Sequence, residues 1–532
     1  MEWNEIIALL MFGGTFGMLM LGFPVAFTIA GTALLTAFIA LGLGLFEFTF
    51  LQAMPNRIYD NAMKNEVLLA VPLFVFMGVM LEKSKVAEEL LENMGRLFGS
   101  INGGLGISVF IVGALLAAST GIVGATVVTM GLISLPTMLK YGYSPRVATG
   151  VICASGTLGQ IIPPSIVLVI LGDQLSNAYV DAQRELGNWS PEPVSVGDLF
   201  AGAMVPGVML VGLYILYQVV VAIIRPSSSP AMPEEARQIE GDGNALFSAL
   251  QALLPPVILI IAVLGSILVG IATPTEAASV GAVGAVMLAG WRLSDRSARP
   301  IFLGFIAMVV LMGLVANFDM TVTKNDIPAG TMVAIFVAAI CCAVLLYSII
   351  ISCIRTFGVG VLQEVMRSTA QITSLVFVIV IGAAMFSLVF RGLGGDDKVH
   401  EILSNMPGGK VGAIIIVMLV MFILGFFLDF IEITFVVVPI VAPIILKMDV
   451  NPIWLGIMMA MNLQTSFLTP PFGFALFYLR GVAPPSVTTI DIYRGVSPFV
   501  LIQILALGIL AMYPELTTWL PKVLFGTDLS TG

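Results

Sequence analysis

The sequence predicts an all-α polytopic membrane protein made of two inverted repeats, each with a re-entrant helical hairpin and a discontinuous helix. Three observations carry this reading. The 532-residue chain is 58% hydrophobic and only 10% charged, where soluble domains carry about a quarter charged residues, and its mean hydropathy is +1.05. Two apolar stretches, QIIPPSIVLVI (160–170) and FLTPPFGFALF (467–477), each contain adjacent prolines. Proline lacks the backbone N–H and clashes with the carbonyl one turn back, so a pair opens a helix and frees carbonyls that hydrocarbon cannot satisfy. Finally, landmarks of the first half recur in the second.

Apolar segments long enough to span, or to enter and return, fall at 5–22, 24–46, 67–81, 105–139, 146–171, 199–224, 250–271, 275–291, 300–318, 330–354, 371–391, 411–446, 452–479 and 495–514. The start has Glu2 and Glu5 where a signal peptide needs lysine or arginine, so it reads as a retained first helix. Segments 105–139 and 411–446 are too long for one crossing and break near the middle, at AASTGIVG and LGFFLDF. A two-armed hairpin fits each, tolerated at membrane depth only against protein or a polar cavity. The polar stretches 173–198 and 225–244 read as an outside loop and a flexible cytoplasmic linker. The amphipathic 82–100 reads as a helix along the interface, with GGDDKVHEILSNMPGG as its counterpart on the other side.

The repeat is explicit. Adding 307 to Pro136, Lys140, Pro145, Pro163 and Pro164 gives Pro443, Lys447, Pro452, Pro470 and Pro471. Earlier, Pro24 and Gly31 match Pro274 and Gly281 at an offset of 250, and LFVFMG (73–78) matches FVIVIG (377–382) at 304. The offset therefore jumps by 304 − 250 = 54 residues, about two membrane helices, and assigns 300–318 and 330–354 as an inserted pair. With each hairpin counted as no crossing and the N-terminus outside, 14 of the 23 lysines and arginines lie in inside loops and 9 outside. WRLSDRSAR is the strongest inside segment. The first hairpin then enters from the cytoplasm and the second from the opposite face.

Two constellations could carry chemistry. One is the tip with Ser119, Thr120 and Gly121 beside the break with Gly156, Gly159, Pro163 and Pro164. The other is the tip 424–429 beside Ser466, Thr469, Pro470 and Gly473. Carbonyl and hydroxyl oxygens suit a hard monovalent cation, and helix N-termini at the midplane favour an anion beside it. Packed helices merely kinked by proline are the bland alternative, and one pair alone would favour it; two pairs at matched positions favour a site.

Asp429 and Glu432 are functional candidates as carboxylates at membrane depth. The alternative is that Asp429 caps the arm helix while Glu432 bonds the backbone; direct involvement is favoured for Asp429. Thr273, Pro274 and Glu276 form a capping box, so Glu276 is structural. Ser155 and Asn462 correspond under the 307 offset and are weaker substrate candidates, with Gly156, Thr157 and Thr465 beside them. The four cysteines read as small apolar residues, and the single His400 as an ordinary loop residue. The net charge of −9 argues against nucleic acid as a partner. No nucleophile–base pair, HExxH or phosphate-binding loop is present, so the chain does not read as an enzyme or an ATP-driven pump.

At GIVGATVVTMGLISLPTMLKYGYSP, SGTLGQIIPPSIVLVILGD, LFAGAMVPG, ATPTEAASVGAVGA and NLQTSFLTPPFGFALF the sequence resembles the large membrane subunit of tripartite ATP-independent periplasmic (TRAP) transporters. The resemblance implies an elevator-type transporter of the bacterial inner membrane. It would take up a small organic anion, usually a carboxylate, with sodium as coupling ion and no organic cofactor. Its partners would be a small membrane subunit and a periplasmic substrate-binding protein, within the lipid bilayer. One sodium would meet Ser119, Thr120, Gly159, Ile162 and Pro163; the other Gly425, Phe427, Ser466, Thr469 and Pro470, where Phe427 offers only backbone.

The implied organisation has scaffold helices at 1–81, an arm at 82–104 and a transport half at 105–171. A loop at 172–198, a closing helix at 199–224 and a linker at 225–249 follow. The second repeat has scaffold at 250–291, the insert at 300–354, scaffold and arm at 371–410, and a transport half at 411–479. The last helix and tail occupy 495–532. A self-sufficient sodium–carboxylate symporter of similar architecture is the nearest alternative, and a channel is a more distant one.

Overall fold

The computed structural model describes residues 3–237, 245–294, 296–319 and 329–526. Among them every regular element is helical, and nine helices are long and apolar enough to cross a membrane, one being a hairpin arm. The remaining crossings are divided into shorter pieces, which a length criterion passes over.

Both hairpins form. Hairpin 1 consists of Gly104–Thr120 and Val123–Lys140, and hairpin 2 of Gly409–Leu424 followed by Phe430–Val436 and Val438–Leu446. The return arm of hairpin 2 is split at Val437, because Pro439 has no N–H to continue the ladder. Broken helix 1 runs Pro145–Thr157, a 3-10 turn Leu158–Gln160, an irregular stretch through Ser165, then Ile166–Glu185. Broken helix 2 runs Pro452–Leu468 and Phe474–Val482 around Thr469–Gly473. The two halves interlock. Ile166–Glu185 packs on the return arm of hairpin 2, and Phe474–Val482 packs on the return arm of hairpin 1.

A second group is centred on Val25–Gly42, Ala70–Lys83, Pro274–Arg292 and Val361–Gly392. Here the repeats meet through small residues: a Cβ on Gly281 would lie 2.4 Å from Met77 Sδ, and one on Gly382 would lie 2.7 Å from the Ala26 carbonyl oxygen. Under the sequence offsets the two helix pairs correspond, Ala70–Lys83 on Pro274–Arg292 and Val25–Gly42 on Val361–Gly392. The predicted insert is present as Arg299–Asn317 and Ala329–Gly358, packed on each other and on Pro274–Arg292. Gly304 and Gly290 accommodate Ser348 and Ser352, while Val309, Phe336 and Ile340 face outward as lipid-facing residues do.

Ion pairs corroborate the predicted partition of loops into two sides. Lys83–Glu364 (2.6 Å), Arg292–Glu89 (2.8 Å) and Arg146–Asp491 (3.2 Å) each join two predicted inside residues. Lys398–Glu5 (3.7 Å) and Lys447–Glu185 each join two predicted outside residues. None crosses.

The structure corrects several boundaries. The predicted outside loop 172–198 shrinks to 186–195, because SNAYVDAQRE continues the helix, and both Asp173 carboxylate oxygens accept from Asn65 Nδ2 (3.0 and 2.9 Å). The helix predicted from 371 begins at Val361, ten residues earlier, its polar first turns held by the Lys83–Glu364 pair. Residues 48–66, left unassigned by hydropathy, form short helical pieces, and Met54–Met63 meets Val67–Lys83 at a 52° bend. The start of the predicted flexible linker is pinned: Gly103 N–H donates to the Ser229 carbonyl (2.7 Å), Ser144 N–H to Ser228 (2.9 Å) and Met232 N–H to Gly99 (2.8 Å). The interfacial arms appear as Val86–Phe98 and Gly395–Ser404, and the tail contains a further helix, Glu515–Phe525.

Candidate functional site

Each hairpin tip abuts the break in its own repeat. In repeat 1 the first arm ends at Gly121, whose φ of +60° is a conformation that glycine adopts without strain. A Cβ there would lie 3.0 Å from Ile166 N, the first residue of the second half-helix. Across the break, a Cβ on Gly159 would lie 3.2 Å from the Ala117 carbonyl oxygen. A Cβ on Gly156 would lie 2.3 Å from Val127 Cγ2, and Gly207 of the neighbouring helix Val196–Ile224 faces Ile162 with room for ordinary contact. Pro163 and Pro164 withhold the N–H groups that would serve the Gly159 and Gln160 carbonyls in a continuous helix. Ser165 Oγ takes over the Gln160 carbonyl at 2.9 Å. The Gly159 carbonyl, beside the tip, has no such replacement from Pro163. The side chains of Ser119 and Thr120, predicted for this site, lie outside the described residues.

In repeat 2 the approach is tighter. A Cβ on Gly425 would lie 2.1 Å from Ser466 Oγ and 2.8 Å from Ser466 Cβ. Phe427 stacks at a tilt on Phe472 (5.4 Å between centroids), next to Pro471, and meets Phe16 edge-on. At Pro470 the Ser466 carbonyl loses its helical donor and receives the Thr469 N–H instead (3.1 Å). Gly473 fits because a Cβ would lie 2.5 Å from the Phe467 carbonyl oxygen. The Pro163–Pro164 and Pro470–Pro471 bonds are both cis.

The hydroxyls mostly serve their own helices. Ser155 Oγ donates to the Ile152 carbonyl (3.0 Å), Thr157 Oγ1 to Ala154 (3.0 Å), Thr465 Oγ1 to Met461 (2.8 Å), Ser466 Oγ to Leu463 (2.7 Å) and Thr469 Oγ1 to Thr465 (2.7 Å). Each oxygen keeps lone pairs for a cation. Asn462, a substrate candidate, is instead a tie: its Nδ2 donates to the Met418 carbonyl on the first arm of hairpin 2 (2.8 Å).

Asp429 and Glu432 form a capping box at the tip of hairpin 2. Asp429 Oδ1 accepts from Phe430 N–H (2.7 Å), and Glu432 Oε2 accepts from Asp429 N–H (3.0 Å). The capping alternative is thus the geometry present for both carboxylates, against the preference for Asp429 as a direct ligand. The box predicted at Thr273 and Glu276 is also present. Of the four helix N-termini at the tips and breaks, those at Val123, Ile166 and Phe474 have no side-chain cap; only that at Phe430 does. The dipole of hairpin 2 is already answered by its own carboxylates, which leaves the hairpin 1 side open to an anion.

Sequence reasoning passed over several polar residues that tertiary packing brings in. Gln160 is fully buried in the first break, and neither carboxamide atom has a partner among the described residues. Such a burial costs free energy unless a ligand or water answers it. Gln160 stood within the quoted GTLGQIIPP, and its place one residue past Gly159 was the available signal. Tyr214 hydroxyl accepts from Gln503 Nε2 (2.7 Å), and Thr157 and Gln464, equivalent under the 307 offset, converge on it. The Tyr478 ring covers Gly124 of hairpin 1, where a Cβ would lie 2.8 Å from Cζ, and stands in electrostatic range of Asp429 on hairpin 2.

Two hairpins, each set against a broken helix, are an architecture of membrane transporters. The overall fold is shared with the YdaH transporter of Alcanivorax borkumensis, solved by crystallography, at a TM-score of 0.53 and 15% identity over 90% of this chain and 89% of that one. The chain belongs to the family described as the tripartite ATP-independent periplasmic transporter, DctM component, whose profile matches residues 12–328 and 305–516. The two matched stretches overlap at 305–328, within the inserted helix pair. Among curated relatives, the large permease of the C4-dicarboxylate TRAP transporter of Vibrio cholerae is 29% identical over 501 residues, 93% of this chain and 96% of that one. The large permease of the ectoine TRAP transporter of Halomonas elongata is 25% identical, covering 96% and 97%. The sialic acid TRAP large permease of Vibrio cholerae is 24% identical, covering 96% and 98%. The protein is a multi-pass transporter permease of the bacterial inner membrane.

Proposed function

We propose that this permease drives sodium-coupled uptake of a small organic anion, a carboxylate, delivered by a periplasmic substrate-binding protein and stabilised in the membrane by a small partner subunit. The observation that carries the reading is the twofold contact of a hairpin tip with a broken helix, at Gly159–Ala117 and at Gly425–Ser466. Sodium is held in each cradle by carbonyls near Gly159, Ile162 and Pro163, or near Gly425, Phe427 and Pro470, with hydroxyls of Ser466 and Thr469 adding lone pairs in the second. Binding there fastens tip to break; the substrate carboxylate then sits where the uncapped N-termini of Val123 and Ile166 supply positive ends. The interlocked hairpins and broken helices move as one transport body against the scaffold centred on Val25–Gly42 and Val361–Gly392. The relatives' named cargoes, C4-dicarboxylates, ectoine and sialic acid, all carry carboxylates.

The test is uptake of a labelled C4-dicarboxylate into proteoliposomes carrying permease and partner subunit, with and without binding protein, under an inward sodium or potassium gradient. Uptake that needs both sodium and the binding protein is expected. Accumulation by the permease alone would point to a self-sufficient symporter, and uptake indifferent to sodium would overturn the coupling.

A further inference from the structure

Away from the hairpin tips, a cavity of about 140 Å³ opens on the face that the lysine and arginine bias places outside the cytoplasm. It lies between the two packed groups of helices. Arg57, Asn61, Asn65 and Arg391 contribute from the scaffold side, and Gln174, Asn177 and Asp181 from broken helix 1, with Phe435 to Pro443 of hairpin 2 as floor. Phe435 lies six residues beyond Asp429, about 9 Å of helical rise, so the cavity reaches from the outer surface toward the tip of hairpin 2.

Its charge is unusual for such a place. Arg57 and Arg391 are both half-buried and close enough to repel each other; Asp181 and Asp396 stand within electrostatic reach of Arg57, and Asp396 of Arg391, but neither arginine makes a side-chain hydrogen bond or ion pair with a described residue. Nearby carboxylates are mostly committed elsewhere. Asp173 is held by Asn65 and Gln174. Asp396 accepts from backbone N–H groups at the start of Gly395–Ser404 and attracts both arginines without a hydrogen bond to either. Asp181 is the one carboxylate among the lining residues, and it attracts Arg57 without a hydrogen bond to it. Two guanidinium forks lining one walled space, neither held by a carboxylate hydrogen bond, suit the planar, bidentate geometry of a carboxylate or sulfonate. The volume is close to that of a cavity that accepts one benzene-sized molecule.

We propose that this cavity is an extracytoplasmic receiving site that binds one anionic oxygen group of a small organic anion between Arg57 and Arg391, before the anion reaches the hairpin tips. Because scaffold and hairpin residues both line it, a bound anion also bridges the two groups of helices. The purpose of the site rests on the transport reading, but its binding chemistry does not.

The experiment is thermal unfolding of the purified full-length permease in a neutral detergent without anionic lipid, with succinate as probe at matched ionic strength. Dimethyl succinate serves as the uncharged control, and sodium is varied separately to read the hairpin cradles. Succinate is expected to raise Tm, dimethyl succinate is not, and Arg57→Gln and Arg391→Gln each weaken the apparent succinate affinity at least about tenfold while leaving the sodium shift intact. Asn177→Asp, which adds a negative charge to the wall without removing a guanidinium, weakens it likewise. No succinate shift in the wild type, or one undiminished in all three variants, overturns the proposal. Loss of the sodium shift in the wild type would instead count against the cradles and leave the cavity standing.

Discussion

Gly425→Ala is expected to lower sodium-dependent uptake about tenfold or more while the protein still inserts and accumulates in the membrane. The added methyl would stand 2.1 Å from Ser466 Oγ and 2.8 Å from its Cβ, so the tip must withdraw from the break. Overpacking of this kind costs about 1–3 kcal/mol, and each 1.4 kcal/mol is about a factor of ten in an equilibrium. The cost falls on the state in which tip and break are closed around the ion. Gly13→Ala is the control, since a Cβ there meets nothing within 4 Å. Membrane abundance by immunoblot and uptake at several sodium concentrations separate the effects: Gly425→Ala raises the sodium requirement, and Gly13→Ala changes neither. Wild-type uptake by Gly425→Ala would mean that the tip contact is incidental.

Asp429 gives the second large effect, and a sharper division. If its role is to cap the return arm of hairpin 2, asparagine substitutes well and alanine does not. Asp429→Ala removes the acceptor for Phe430 N–H, at a cost of about 0.5–2 kcal/mol for the cap alone. It also loosens the loop that positions Phe427 and Gly425. Asp429→Asn is accordingly expected to retain uptake within a factor of about three, and Asp429→Ala to lose about tenfold. Equal loss in both variants would restore the carboxylate charge as a direct participant in transport. The measurement is initial uptake rate at saturating and limiting sodium.

The contrast between these two residues shows what a sequence can carry. Pro163, Pro164, Pro470 and Pro471 announce the breaks because proline acts on the backbone wherever the chain goes. Gly121 marks its tip for a similar local reason, its positive φ, whereas Gly425 keeps helical backbone and matters through its contact with Ser466. The 307 offset and the 54-residue surplus were readable because the repeats keep their landmarks in register. Side-chain partners were not readable: Asn462 pairs with the Met418 carbonyl across 44 residues, and the orphaned Gln160 carries no periodic signal. Hydropathy also misjudged helices whose polar turns are held by tertiary contacts, as at Val361, held by Lys83–Glu364, and at 173–185, held by Asn65. The tie of Asp429 to its own helix was weighed from sequence, but only packing fixes which of two plausible roles its oxygens take up.

The central claim is that opened backbone in two inverted halves binds sodium, and equilibrium binding of radioactive sodium to the purified permease, with potassium as competitor, tests it most directly. Two sodium ions per chain, resistant to excess potassium and reduced to one in Gly425→Ala, are predicted. Binding that potassium displaces equally well, or a stoichiometry unchanged by Gly425→Ala, would contradict it.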